Sequence, residues 1–317
     1  MRSRHARGVS IVIAATIASG CVATALAQTR PGAPARPPSP TRQANLGGPT
    51  DLLVYGGGGI SAVTQSGRAT RLVRVPSGGS YRATAIEWAP DRSRVLWSGR
   101  PGVTVYDGSS PRPQPVVRGS IGMALSPNGK LIAYGGGGQP IFVANADGSG
   151  ARRLVGPHQS PGYLGLDYST LGWSADGSRV LYGTRRERPN CATCSQGVLM
   201  SVPVSGGPSK LLFAIPKEAN VTPFAPHWSS KTNKIVFTVQ GVGRAKIAVV
   251  NPDGTGYTEL TAFTDGPSHS PRWSPDGSRI AFVGNRRGDG AVRHVYFLSP
   301  TGKPLGRLPM QAILIDW

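Results

Sequence analysis

Acidic residues are scarce in this chain, and so are cysteines, aromatics and long apolar runs. Only 15 Asp and Glu stand against 35 Lys and Arg, a formal charge of +20 over 317 residues. The isoelectric point of about 10.9 follows. Such a balance favours polyanionic partners and speaks to association rather than to fold. The only apolar run near the N-terminus, Val9 to Ile17, is too short to span a bilayer, so no transmembrane anchor is expected. G-x-S-x-G and H-E-x-x-H are both absent, which removes a nucleophile elbow and a zincin helix. Charged residues make up 16% and hydrophobic ones 38%, with 44 Gly and 29 Pro. Short strands joined by many tight turns give this profile, and long amphipathic helices do not.

The first 27 residues read as a secretory signal peptide. Arg2, Arg4, His5 and Arg7 form a basic start, Val9 to Ile17 an apolar core, and Ala25-Leu26-Ala27 a small-x-small cleavage site before Gln28. A second reading competes: Ala18-Ser19-Gly20-Cys21 resembles a lipobox, with Cys21 lipidated and Ala18 where Leu is usual. No adjacent Arg pair precedes the core, against twin-arginine export. Either route makes the protein extracytoplasmic, periplasmic or secreted, and removes intracellular nucleic acid as a partner. Residues 28–50 are Pro-rich and lack apolar periodicity, as a disordered linker would.

An internal repeat follows. Its copies are EWAPDRSRVLW (87–97), ALSPNGKLIAY (124–134), GWSADGSRVLY (172–182), HWSSKTNKIVF (227–237) and RWSPDGSRIAF (272–282). Each places a large apolar residue (Trp88, Leu125, Trp173, Trp228 or Trp273) nine positions before an aromatic one. Ser-Pro-Asp-Gly is turn chemistry: Pro presets φ, Asp bonds its own backbone, and Gly accepts positive φ. A second Asp-Gly or Ser-Gly turn follows in most copies, as in NADGSGARRLV (145–155) and NPDGTGYTELT (251–261). Two hairpins per unit make one four-stranded propeller blade. The chain ends on Ile313-Leu314-Ile315-Asp316-Trp317, an opening strand cut off at its Trp, and Asp51-Leu52-Leu53-Val54-Tyr55 resembles a second strand. Pairing these ends would close a ring of six blades over residues 51–317 and leave no open junction.

The repeats, RWSPDGSRIAF above all, resemble the WD-like propeller repeat of the TolB family, a periplasmic component of the Tol–Pal envelope system. The resemblance implies an all-β, six-bladed β-propeller of four-stranded antiparallel blades. TolB proteins carry an α/β domain before the propeller, where this chain has its Pro-rich segment. Similar repeats occur in propellers of prolyl-oligopeptidase-like peptidases and of some polysaccharide lyases.

Candidate residues fall into three sets. Cys191 and Cys194 are the only cysteines after Cys21; in an oxidising compartment they are expected as a loop-closing disulfide, since a zinc site needs four ligands. The residue before each leading apolar position (Glu87, Ala124, Gly172, His227, Arg272 or Asp316) should surround the channel entrance. His269 lies four residues before Trp273 and is placed in the same lead-in, while His158 and His294 complete the later histidines. Arg94, Arg179, Lys234 and Arg279 recur at one repeat position and would form a basic rim, or support their own turns. The glycine runs 56–59 and 135–138 lack a following Lys-Ser/Thr and read as hairpin turns, not phosphate cradles. The reading is a monomeric, non-enzymatic scaffold, without cofactor, that binds a protein or an anionic cell-envelope component. The alternative is a lyase or hydrolase of acidic polysaccharide with a metal on His227 and His269.

Overall fold

The computed structural model describes residues 46–75, 83–99, 102–108, 114–118, 122–136, 139–156, 171–188, 191–216, 220–242, 244–260, 268–285 and 292–317. The expected signal peptide, Cys21, the linker up to residue 45 and His158 lie outside them. Every described strand belongs to one of six four-stranded antiparallel sheets. The first sheet contains β1 (Leu52–Gly56), β2 (Gly59–Val63) and β3 (Ala69–Arg74). The second is β4 (Ala85–Trp88), β5 (Val95–Gly99), β6 (Gly102–Tyr106) and β7 (Gln114–Arg118). The third is β8 (Gly122–Leu125), β9 (Leu131–Gly136), β10 (Gln139–Asn145) and β11 (Arg152–Val155). The fourth is β12 (Gly172–Trp173), β13 (Arg179–Arg188), β14 (Cys191–Pro203) and β15 (Lys210–Ala214). The fifth is β16 (Thr222–Ser229), β17 (Lys234–Gly241), β18 (Arg244–Val250) and β19 (Thr258–Glu259). The sixth is β20 (His269–Trp273), β21 (Ile280–Gly284), β22 (His294–Leu298) and β23 (Pro304–Gln311).

The last strand, β24 (Leu314–Asp316), returns to the first sheet and pairs with β1: Leu53 opposite Asp316, Val54 opposite Ile315, Tyr55 opposite Leu314. The split blade expected from the sequence is therefore formed. The cores close the ring independently. Each of six buried clusters joins two consecutive sheets, and Leu52, Val54 and Ile315 of the first sheet pack with Ala281, Val283 and Val295 of the sixth. The aromatic nine residues after each leading position fills these seams; Phe237 and Phe282 are fully buried. No described helix is long and apolar enough to cross a membrane.

The turn residues act as their chemistry requires. In 274–279, Gly277 takes φ +72° and donates to Ser274 O, Ser274 N–H donates to Arg279 O, and Asp276 Oδ1 accepts from Ser278 N–H. The same bonds recur in 174–179. In 89–94 the repeat lacks Gly and Arg92 takes its place at φ +59°; in 229–234 the positive φ moves one position on, to Asn233 at +50°, whose N–H donates to Ser229 O. Positive φ is unusual for Arg and singles it out.

Candidate functional site

The inner strands β4, β8, β12, β16, β20 and β24 all run the same way, so their last residues meet at one end. A cavity of about 520 Å³ opens there, lined by all six leading apolar residues including Trp317, and by Pro90, Pro127, Pro226 and Pro275. Glu87, His227, Arg272 and Asp316 line it, as does the Ala124 and Gly172 backbone.

These polar side chains tie neighbouring blades together. Asp316 Oδ2 accepts from Trp88 N–H at 2.8 Å, and Asp316 Oδ1 from Arg272 Nε at 2.9 Å. Arg272 reaches Glu87 Oε1 at 4.0 Å, and its own strand's Pro271 O at 3.0 Å. Glu87 Oε2 accepts from Leu125 N–H, and His227 Nδ1 accepts from Trp273 N–H at 2.9 Å. One rule covers three of these bonds: the residue before the leading position accepts the leading residue's N–H in the next blade. It works at Asp316, Glu87 and His227 and not at Ala124 or Gly172, which carry no acceptor. There the Trp173 indole N–H donates to Ala124 O at 2.9 Å instead.

Burial sets the electrostatics. The Glu87 carboxyl is pushed up to about 8, by desolvation first and the Asp316 charge second; Arg272 and the Leu125 N–H pull the other way. Burial, then the Arg272 charge, brings the His227 imidazole down to about 3. A neutral ring accepting at Nδ1 carries its proton on Nε2, so neither nitrogen offers a free lone pair.

His269 stands apart. It opens β20 and pairs with Val283, while Arg272 pairs with Ala281; a bulge at Ser270 (φ +53°) leaves the two roughly 7 Å apart along the strand, and His269 does not line the cavity. Its pKa falls to about 4 through burial and then the Arg293 charge. The placement of both histidines at one mouth is thus corrected: the strand carries His269 toward the opposite end. No cluster of three metal-ligating residue types occurs among the described residues. His294 opens β22, with Nδ1 3.2 Å from Met310 O.

The proposed basic rim does not line the cavity either. Its members stand at the start of second strands, and Arg179 is spent on its own blade, donating from Nε to Ser201 Oγ at 2.8 Å. Arg94 and Lys234 are half-buried and only Arg279 is exposed. Cys191 and Cys194 form a disulfide, Cα atoms 5.3 Å apart, at the start of β14. Gly57 and Gly58 take φ +56° and +76° in the β1–β2 turn.

Sequence reasoning missed Arg92 and the segment before Asp51. Arg92 lies over the Trp88 ring at 5.0 Å and donates to Asp51 O and Pro49 O, both at 3.1 Å. Leu46 N–H donates to Arg92 O, and the Trp317 indole donates to Thr50 O at 3.0 Å. A Cβ on Gly47 would lie 2.8 Å from the Trp88 ring, so only glycine fits beneath it. Residues 46–50 therefore belong to the mouth, not to a disordered linker. The missing glycine in 89–92 was the available signal.

No family model and no curated protein matches the chain. Among solved structures it is similar to a TolB from Agrobacterium tumefaciens, with TM-score 0.59 and 17% identity over 81% of this chain and 87% of that one. It is similar to TolB from Acinetobacter baumannii, with TM-score 0.61 and 14% identity over 84% of this chain and 64% of that one. An oligogalacturonate lyase in complex with manganese gives TM-score 0.52 and 17% identity over 71% of this chain and 65% of that one. At these identities the likeness is one of fold: the chain carries a TolB-like six-bladed β-propeller.

Proposed function

We propose that this protein is an extracytoplasmic, non-enzymatic scaffold whose channel mouth holds part of a protein partner. The observation that carries the reading is the mouth itself. A cavity of about 520 Å³ is walled by tryptophans and prolines, and its ionisable side chains are engaged in joining blades. Apolar, aromatic walls with a few fixed polar groups suit binding. The Cys191–Cys194 disulfide fits an oxidising compartment, reached by cleavage near Ala27 or by lipidation at Cys21. The lyase reading needs His227 and His269 on one metal. His227 is committed to Trp273, and His269 lies down the strand from it.

The test is affinity capture from an envelope extract at low and moderate salt, with wild-type and Trp228→Ala chains as bait. A protein retained by the wild type at both salts and released by Trp228→Ala supports the proposal. Retention that ignores the substitution, or none at all, counts against it. Turnover of polygalacturonate with added Mn²⁺, abolished by His227→Ala, would replace it with the lyase.

A further inference from the structure

Four tryptophans at the mouth hold the same place in their hairpins. Trp88 stands opposite Val95, Trp173 opposite Val180, Trp228 opposite Ile235 and Trp273 opposite Ile280. One residue further along, Ser174 N–H donates to Arg179 O and Ser274 N–H to Arg279 O, each at 2.9 Å within its hairpin. Antiparallel ladders alternate, so the pair next to such a bond turns its N–H groups away from the partner strand. Each tryptophan N–H therefore leaves its own hairpin, toward the preceding blade. Trp88 and Trp273 find acceptors there, Asp316 Oδ2 at 2.8 Å and His227 Nδ1 at 2.9 Å. Trp173 and Trp228 meet Ala124 and Gly172 instead, and neither N–H has an acceptor among the described residues.

The two unserved N–H groups belong to adjacent blades, the fourth and the fifth. The chain cannot serve Trp228 from Gly172, because a Cβ there would lie 2.2 Å from Pro226 O. Ala124, Gly172, Trp173 and Trp228 all line the cavity, so an acceptor can arrive through the mouth. The Trp88 and Trp273 indole N–H groups in the same wall also lack acceptors among the described residues. The mouth is thus short of acceptors, not of donors. A buried N–H left unpaired costs about 1–3 kcal/mol, which an incoming acceptor recovers.

Taking the mouth as the seat of a protein partner, we propose that it receives acidic side chains of that partner. Their carboxylate oxygens accept from the Trp173 and Trp228 N–H groups, in the place that Asp316, Glu87 and His227 fill in other blades. Charge favours a carboxylate over a neutral acceptor. In the wall, Asp91 and Asp316 are matched by Arg92 and Arg272, and the chain as a whole carries +20, which draws in an acidic partner. A protein suits the cavity better than an acidic polysaccharide. Tryptophan and proline bury apolar side chains beside the acid, whereas sugar hydroxyl groups need polar side chains, and those of the mouth are engaged between blades.

The experiment is a titration of the full chain carrying ¹⁵N-labelled tryptophan, which gives six backbone amide signals for its 6 Trp. The probes are acetyl-Phe-Asp-Ala-Asp-Phe-amide, the same peptide with Asn for Asp, and trigalacturonate. The Asp peptide should move the Trp173 and Trp228 amide protons downfield and leave those of Trp88 and Trp273, already bonded, near their places. The Asn peptide should bind about ten-fold more weakly, since a charged acceptor makes the stronger bond. Ala124→Asp and Ala124→Asn each supply an acceptor from within the repeat, and both should weaken the Asp peptide. A loss with Ala124→Asp alone would mean repulsion only and overturn the N–H assignment, as would binding that leaves Trp173 and Trp228 unmoved. Asp and Asn peptides that bind equally at these signals would remove the carboxylate and keep the mouth as a protein site. No shift at any mouth tryptophan with either peptide would remove both. Trigalacturonate moving the two signals that the peptides leave still would replace the acidic protein with an acidic polysaccharide.

Discussion

Glu87 and His227 sit one blade-step from the same pair of charges and respond to pH in opposite directions. Glu87 holds its proton up to about 8 when folded, against an ordinary value of 4.5. The folded state therefore binds a proton that the unfolded chain has released, and this contribution is full below 4.5 and lost as pH rises through 8. His227 stays neutral down to about 3, against 6.5. Its contribution is full above 6.5 and lost as pH falls toward 3, and His269, lowered to about 4, adds to the same side. The two histidines outweigh Glu87 up to about pH 6.5, so the thermal midpoint should rise to there and then fall between about pH 6.5 and about pH 9, the fall coming through Glu87. Glu87→Gln keeps an acceptor for the Leu125 N–H and removes the charge, so its midpoint should stay nearly level over that range. A melting series for the variant that declines in parallel with the wild type would show that Glu87 is not the group responsible.

At the scale of strands, the seam between the fourth and fifth blades depends on absent side chains. A Cβ on Gly183 would sit 1.8 Å from Pro223 O, and one on Gly197 2.5 Å from Val221 O. The long β13–β14 hairpin can lie against β16 only because these positions carry none. Gly183→Ala should destabilise the protein by about 1–3 kcal/mol, the range for overpacking, while Gly241→Ala, whose nearest neighbour is a Val221 methyl at 3.4 Å, should do much less. Chemical denaturation of both variants checks the ordering. The strands and turns themselves were legible in the sequence because their signals are local: Ser274, Asp276 and Gly277 satisfy one another within a few residues. The mouth was legible only in outline. The repeat placed Glu87, Arg272 and Asp316 at one level, but which N–H each accepts depends on the neighbouring blade, with Trp88 and Asp316 228 positions apart. His269 was misplaced because two histidines of similar lead-in look alike in sequence, while a bulge at Ser270 and two further ladder steps set His269 back from the mouth.

For the molecule as a whole, the decisive contact is the return of β24 to β1. Three ladder pairs are a short strand, yet they carry more than their own bonds. Asp316 supplies the acceptor for Trp88 N–H and the counter-charge for Arg272, whose side chain is 6% exposed; Trp317 supplies the donor to Thr50 O. A chain ending at Ile313 would leave the edge of β1 open and Arg272 buried without its nearest carboxylate. Breaking a buried pair from one side costs about 3–5 kcal/mol, so the truncated chain should melt at least roughly 10 °C lower and self-associate through its open sheet edge. Size-exclusion chromatography and thermal melts read both effects. Asp316→Asn separates the two causes, because it keeps the strand and an acceptor oxygen while removing the charge. Its midpoint should fall between those of wild type and truncation, and it should remain monomeric. A truncated chain that stays monomeric and melts with the wild type would mean that five whole blades and a three-stranded one hold together without the clasp. The seam between the sixth and first sheets, where Ile315 packs with Val54, Ala281 and Val283, would then have to be stable without one of its own strands.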